Sequence, residues 1–144
     1  MMKDFRVVRF DGSELAYFQM AMEIRTIVFV IGQNVPVELE QDEFDAGAHH
    51  YLLFLDDKPL ATARWRETDK GVKLERFAVL DGYRSQGLGE AILKAVLTDV
   101  VPLKRLIYLH AQEAAVNFYL RHGFKIASDR FDEAGIGHFI MNFG

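Results

Sequence analysis

The stretch with the most chemistry in it is Gly82-Tyr83-Arg84-Ser85-Gln86-Gly87-Leu88-Gly89-Glu90. It follows a run of β-type residues, Val72 to Leu80, and opens a segment of helical period. Small residues at such a junction let the backbone approach an anion closely. The first amides of a helix have no intrahelical partner and point their N–H groups at it. Two phosphate motifs fail here. Gly82 and Gly87 have the spacing of a P-loop, but the next positions are Leu88 and Gly89, where a lysine and a magnesium-binding hydroxyl are required. Gly87-x-Gly89 begins a dinucleotide fingerprint, but its sixth position is Ile92 and the preceding strand does not open a βαβ unit. A third pattern, Arg/Gln-x-x-Gly-x-Gly/Ala, is met at every fixed position by Arg84 to Gly89. Taken alone, that hexapeptide also fits a plain strand-to-helix turn.

The elements that must position this loop are legible from periodicity. Phe5 to Phe10 reads as a strand that stops at Asp11-Gly12. Ser13 is placed to cap a helix from Glu14, in which Leu15, Phe18, Met22, Arg25 and Phe29 recur at spacings of three and four until Gly32 ends it. Residues 33–50, with Pro36, Gly47 and many acids, read as a loop or short helix. Tyr51 to Leu55 is apolar on both faces, as in a central strand. Two further strands follow, Ala61 to Arg66 and Val72 to Leu80, with turns at Asp56 to Pro59 and Asp69 to Gly71, so the middle is an antiparallel meander. Leu88, Ala91, Ile92, Ala95, Val96 and Val100 form a helical stripe that Pro102 ends. A strand at Leu106 to His110 and a helix at Ala114 to His122 come next, with Gly123 where a left-handed C-cap belongs. Strands at Phe124 to Ala127 and Ile136 to Phe143 flank a turn at Asp132 to Gly135. The expectation is a mixed α/β (α+β) domain over residues 1–144, built on a mostly antiparallel central sheet flanked by helices.

Composition narrows the chemistry. There is no cysteine among the 144 residues, which excludes a thiol nucleophile, disulfides and Cys-ligated metal. His49-His50 has no third ligand at a metal spacing, so no metal is expected. A net charge of −4 argues against general nucleic-acid binding. No apolar run approaches the ~20 residues of a membrane span, and the first residues lack the apolar core of a signal peptide. No membrane partner is expected, and a cytoplasmic location is. The charge is split: residues 1–57 hold 4 Lys/Arg and 11 Asp/Glu, whereas residues 58–144 hold 13 and 10. Such a split suggests two halves facing different partners, with a chance distribution as the alternative.

The loop motif resembles that of the GNAT superfamily, the acetyl-CoA-dependent N-acetyltransferases. Two other segments are similar to this family. Leu74-Glu75-Arg76-Phe77-Ala78-Val79-Leu80 looks like its fourth strand, and Asn117-Phe118-Tyr119-Leu120-Arg121-His122-Gly123-Phe124 like its last helix and following Gly-Phe pair. The element order is the family's over essentially the whole chain. A narrower resemblance, to a small bacterial branch of acetyltransferases, rests on Val28-Phe29-Val30, Val35-Pro36, Glu38, Asp42, Asp45, His49, Ala61 to Arg64, Ala111-Gln112 and Gly135 to His138. That branch has acids after Val-Phe-Val, where this chain has Ile31-Gly32.

The resemblance implies acetyl-CoA as cosubstrate, with its pyrophosphate on the amides of Arg84, Ser85, Gln86, Gly87, Leu88, Gly89 and Glu90. Its arm would run along Phe77, Ala78 and Val79, where the fourth and fifth strands splay apart, and meet Asn117. Tyr119 matches the family's general acid; its ordinary pKa of ~10 lies slightly above that of a thiol. The alternative for Tyr119 is a core tyrosine, and for Asn117 an exposed polar residue. Glu75 is the first candidate for the base, with His110 and His138 as others. Phe29, Asp42, Asp45 and His138 would wall the acceptor, the last three within the acid-rich stretches Glu38 to Asp45 and Asp132 to His138. The acceptor is then a primary amine of a small molecule or peptide, cationic if the acids from Glu38 to Asp45 face it. Arg64, Arg66 and Arg76 would contact an acidic group of a substrate or make ion pairs. Many members dimerise, so a homodimer is a further expectation. The alternative function is a non-catalytic CoA-binding or sensing module on the same fold.

Overall fold

Four strands pair in the order in which the chain makes them. β1 (Phe5–Phe10) lies against β2 (His49–Leu55), β2 against β3 (Lys58–Glu67) and β3 against β4 (Val72–Val79), all antiparallel. The computed structural model describes residues 5–40, 42–83 and 87–144. Among these the sheet continues through β5 (Ile107–Gln112), β8 (Ile136–Phe143) and β6 (Phe124–Ile126), and a short β7 (Phe131–Glu133) also pairs with β8. Only the β4–β5 pairing is parallel; the other pairings among the described strands are antiparallel. The mixed, mostly antiparallel sheet expected from the sequence is thus present, and it has one more strand.

Helices cover both faces. α1 (Leu15–Arg25) continues directly into a π-helical turn, Thr26–Ile31, and packs on one face, where Ala21, Ile24, Val28 and Phe29 meet Phe10, Leu52, Phe54 and Ala78. α3 (Leu88–Val100) and α4 (Val116–Arg121) pack on the other, where Leu88, Ile92, Leu93, Val96 and Tyr119 meet Leu53, Ala61, Leu74 and Leu109. The alternation Leu52 and Phe54 against Tyr51, Leu53 and Leu55 feeds both cores from one strand. That is why β2 reads as apolar throughout.

Three boundaries differ from the sequence reading, each for a local reason. Ser13 does not cap α1: its amide and hydroxyl both donate to the Asp11 carboxylate, the amide at 2.8 Å, and Glu14 holds the cap position without a side-chain bond. Gly32 stays right-handed at φ −75°, and the chain leaves helical geometry at Asn34, φ 56°. The turn near the C-terminus is narrower than expected. Ala134 and Gly135 take φ 52° and 77°, which frees Phe131–Glu133 to pair with β8. Gly123, at φ 94°, ends α4 as the sequence predicts.

β4 carries a bulge. Thr62 pairs with Ala78 and Arg64 with Glu75, so Arg76 and Phe77 together oppose Ala63. Arg76 sits at φ 57°, a left-handed conformation that costs a non-glycine residue of order 1–3 kcal/mol. The bulge turns the Arg76 side chain onto the segment after α2 (Val37–Glu40), where it donates to the Glu40 carbonyl at 3.2 Å and to Asp42 at 3.1 Å. The ion pairs offset the strain.

Candidate active site

β4 and β5 stay paired only from Val72–Ile107 to Leu74–Leu109. Beyond that point β4 follows β3 as far as Ala61–Val79, and β5 follows β8 as far as Gln112–His138. The splay expected from the sequence is therefore present, and it opens a cleft of about 770 Å³. The far walls are tied together by Gln33, after the π-helical turn, and Gln112, at the end of β5, whose amides bond reciprocally at 2.8 and 3.2 Å.

One end of the cleft is apolar. Phe77, Ala78 and Val79 line it from β4, Ala111 from β5, and Ala114, Ala115, Phe118 and Tyr119 from the segment through α4. Gly89, in the first turn of α3, closes this end. Gly87 is the helix cap at φ 78°, and the first backbone bond of α3 runs from Ala91 to the Gly87 carbonyl. The amides of Leu88, Gly89 and Glu90 therefore precede the intrahelical ladder and remain as donors. A Cβ at Gly89 would lie 3.6 Å from Phe118 and 3.9 Å from Val79, so a methyl group fits and a larger side chain does not. Small residues, unpaired amides and an apolar groove fit a pyrophosphate with an extended arm. Leu88 itself is fully buried, so it offers only its backbone. Arg84, Ser85 and Gln86 lie outside the described residues. Glu90 is exposed and paired with Lys94 at 2.9 Å. Asn117 is exposed on α4 and does not line the cleft, so the structure leaves it away from the groove it was expected to meet.

Tyr119 is 7% exposed, lines the cleft and packs against Phe77 and Phe124. Burial raises its pKa above the ordinary tyrosine value, so the phenol keeps its proton at neutral pH. Its position on the buried stripe and its place in the cleft are not alternatives, because the ring packs while its edge borders the cavity.

The other end is dense in charge. Arg25, on α1, and Arg64, on β3, are fully buried. Arg25 bonds Glu40 at 2.5 Å and Asp45 at 2.7 Å; Arg64 bonds Asp45 at 2.6 Å, Asp42 at 2.7 Å and Glu75 at 3.0 Å. Arg66 and Lys73 reach Glu75 at 2.7 and 3.2 Å. Burial alone would raise the carboxyl pKa values of Asp42, Asp45 and Glu75. The guanidinium groups outweigh it, and all three are held below their ordinary values. Asp42 lines the cleft but Asp45 does not. The expectation of free negative charge at these positions is therefore corrected. Three acids of the first half, Glu40, Asp42 and Asp45, are folded onto arginines of both halves, so this part of the charge split closes on itself inside the fold. Glu75 lines the cleft as an ion-paired carboxylate held low, which makes it a weak proton acceptor.

A third group sits on the β5–β7–β8 wall. His110 Nδ1 is 3.0 Å from Glu133, and this hydrogen bond is the main reason the Glu133 pKa is lowered. His138 is buried, stacks on Phe131 and places Nδ1 2.7 Å from the Ile136 carbonyl. That contact requires Nδ1 to carry a proton, and Nε2 lies 3.7 Å from the Glu133 carboxylate. Phe29 also lines this region. Among the described residues no His, Asp and Glu group is arranged to hold a metal ion, and no helix is long and apolar enough to cross a membrane.

Sequence reasoning missed Arg25 as an ion-pair centre and the Gln33–Gln112 tie, and it placed Glu40 and Glu133 in acid-rich walls without their partners. Arg25 gave a signal, since a charged residue on the apolar stripe of a helix must be buried with a partner. The His110 partner of Glu133 gave none, because β7 depends on pairing with β8.

Residues 26–143 match the family model of the acetyltransferase (GNAT) domain. The uncharacterized N-acetyltransferase YjcF of Bacillus subtilis (strain 168) is 40% identical over 123 residues, covering 84% of this chain and 88% of that protein. Protein ElaA of Escherichia coli (strain K12) is 30% identical over 138 residues, 90% of each. Among solved structures, an acyl-CoA N-acyltransferase from Pseudomonas aeruginosa superposes with a TM-score of 0.87 at 25% identity, over 98% of this chain and all of that one. Escherichia coli ElaA shares the fold, with a TM-score of 0.85 at 24% identity over 99% of this chain and 100% of that one.

Proposed function

The chain belongs to the GNAT acetyltransferase family, and we propose that it transfers an acetyl group from acetyl-CoA directly to a primary amine of a small molecule or peptide. The observation that carries this reading is the splay of β4 and β5. It joins an apolar groove headed by the α3 amides to a polar compartment, with Tyr119 between them. Acetyl-CoA supplies a thioester already activated for attack. The amides of Leu88, Gly89 and Glu90 hold its pyrophosphate, helped by the α3 dipole, worth up to ~1–2 kcal/mol. Phe77, Ala78 and Val79 line the path of its arm and exclude water from it. Tyr119 keeps its proton at the hydroxyl oxygen and gives it to the departing sulfur.

The acceptor arrives as an ammonium ion and must lose a proton before it can attack. Glu75 is too well paired to take it. His138 holds the Ile136 carbonyl through Nδ1 and offers Nε2 to the amine, with the Glu133 carboxylate 3.7 Å away to counter the charge of the proton it takes. We therefore assign the base to His138 rather than Glu75.

The test is thiol release from acetyl-CoA over a panel of amines that includes polyamines, aminoglycosides, amino acids and peptide N-termini, with calorimetry of CoA binding alongside. Amine-dependent release supports the enzyme. Tight CoA binding with no release from any amine would leave a sensing module instead.

A further inference from the structure

On the proposed reading that the polar compartment holds an acceptor amine, the hydrogen-bond inventory of its wall limits which amine fits. The carboxylates of Glu75, Asp42 and Asp45 are taken, and Glu40 Oε2, which has no hydrogen-bond partner, is buried away from solvent. Glu75 Oε1 receives Arg64 Nε at 3.2 Å, Arg64 Nη2 at 3.0 Å and Arg66 Nε at 2.7 Å, and its Oε2 faces Lys73. Asp42 Oδ1 receives Arg64 Nη1 and the Phe44 amide; its Oδ2 receives Arg64 Nη2 and Arg76 Nη2. Asp45 is taken by Arg25 and Arg64. An ammonium ion placed against this wall would have to displace a guanidinium from a buried site.

The donors are not spent. Arg66 uses Nε on Glu75 and lays its guanidinium 3.7 Å from the centre of the Phe44 ring, and no bond to Nη1 or Nη2 is made among the described residues. Lys73 has three N–H donors and one carboxylate partner. Both side chains are largely buried, at 20% and 15% exposure, and both line the cleft. A mostly buried cationic fork with unused N–H groups seeks an acceptor of matching shape.

We propose that the acceptor carries a carboxylate, which docks on Arg66 and Lys73 while its amine faces Glu133 and His138. The planar fork of Arg66, backed by Phe44, suits a flat carboxylate bound through both oxygens. Glu133, flanked by His110 and His138 and within electrostatic reach of Lys73, supplies the negative charge for the amine in the same cleft. The acceptor class is then a small amino acid or a related amino-carboxylate, not a polyamine.

Matched pairs of acceptors test this: an amino acid against the amine left by its decarboxylation, assayed by thiol release with wild type, Arg66→Gln and Lys73→Met. Circular dichroism and the unchanged affinity for CoA show that the variants are folded. The expected result is a preference of about 10- to 100-fold in kcat/KM for the carboxylate-bearing member. In Arg66→Gln that preference should collapse through a rise in KM for the carboxylate-bearing member. Equal or faster turnover of the decarboxylated amines by wild type overturns the carboxylate site and leaves the acetyltransferase standing. No release from any acceptor overturns the acetyltransferase itself.

Discussion

Along its length the cleft changes material. At the cofactor end the walls are Ala78, Ala111, Ala114, Ala115 and Phe118, and the donors are backbone amides fixed by the start of α3. At the acceptor end the walls are charged side chains fixed by one another, with Arg25 and Arg64 at the centre. The first is positioned by secondary structure and tolerates side-chain change as long as space is kept. The second is positioned by electrostatics in a buried setting, where removing one partner strands the rest. Substitutions of similar size should therefore behave differently at the two ends.

The largest difference is expected at Arg64. Arg64→Met leaves Asp42, Asp45 and Glu75 without their shared partner, and a loss of about 3–5 kcal/mol is expected in urea unfolding. If the melt moves by less than about 1 kcal/mol, the network is not what holds this end together. Tyr119→Phe removes one oxygen at the boundary between the ends. A fall of about 100-fold in kcat, with CoA affinity unchanged, is expected from stopped-flow thiol release and calorimetry. Retention of kcat would assign Tyr119 to packing alone.

At the cofactor end, Gly89→Leu should weaken CoA binding by about tenfold, because its side chain meets Phe118 and Val79. Gly89→Ala, which fits the available space, should change affinity by no more than about a factor of two. Equal effects of the two substitutions would break the claim that space is what this end requires. The smallest effect is graded in pH. The folded carboxyls of Asp42, Asp45 and Glu75 lie below their ordinary values, so the unfolded chain binds more protons in acid. Their stabilisation is present above the ordinary carboxylate range and is lost as pH falls through the folded values. Thermal melts between neutral pH and about pH 3 should show it, and a flat profile would contradict it.

The same contrast explains what could be read from the sequence. The strands, the β4–β5 splay and α3 are carried by local pattern and stand where expected, and Tyr119, matched by a motif of fixed spacing, lies in the cleft. Asp45 and Asp42 were legible as acids but not as partners of Arg25 and Arg64, which lie 19 to 22 positions from the acids they bond and meet them only in the folded chain. Arg76 reads as an ordinary strand residue, and its left-handed turn follows from a register shift against β3 that composition does not encode. Asn117 matches a motif, and on α4 its side chain is exposed, in line with the alternative of an exposed polar residue.

The account rests on one cleft serving both ends, and a crystal structure with bound acetyl-CoA tests it most directly. The prediction is a pyrophosphate on the amides of Leu88, Gly89 and Glu90, an arm alongside Phe77 to Val79, and a thioester sulfur within hydrogen-bond reach of the Tyr119 hydroxyl. A cofactor bound elsewhere, or a thioester directed away from Tyr119, would contradict it.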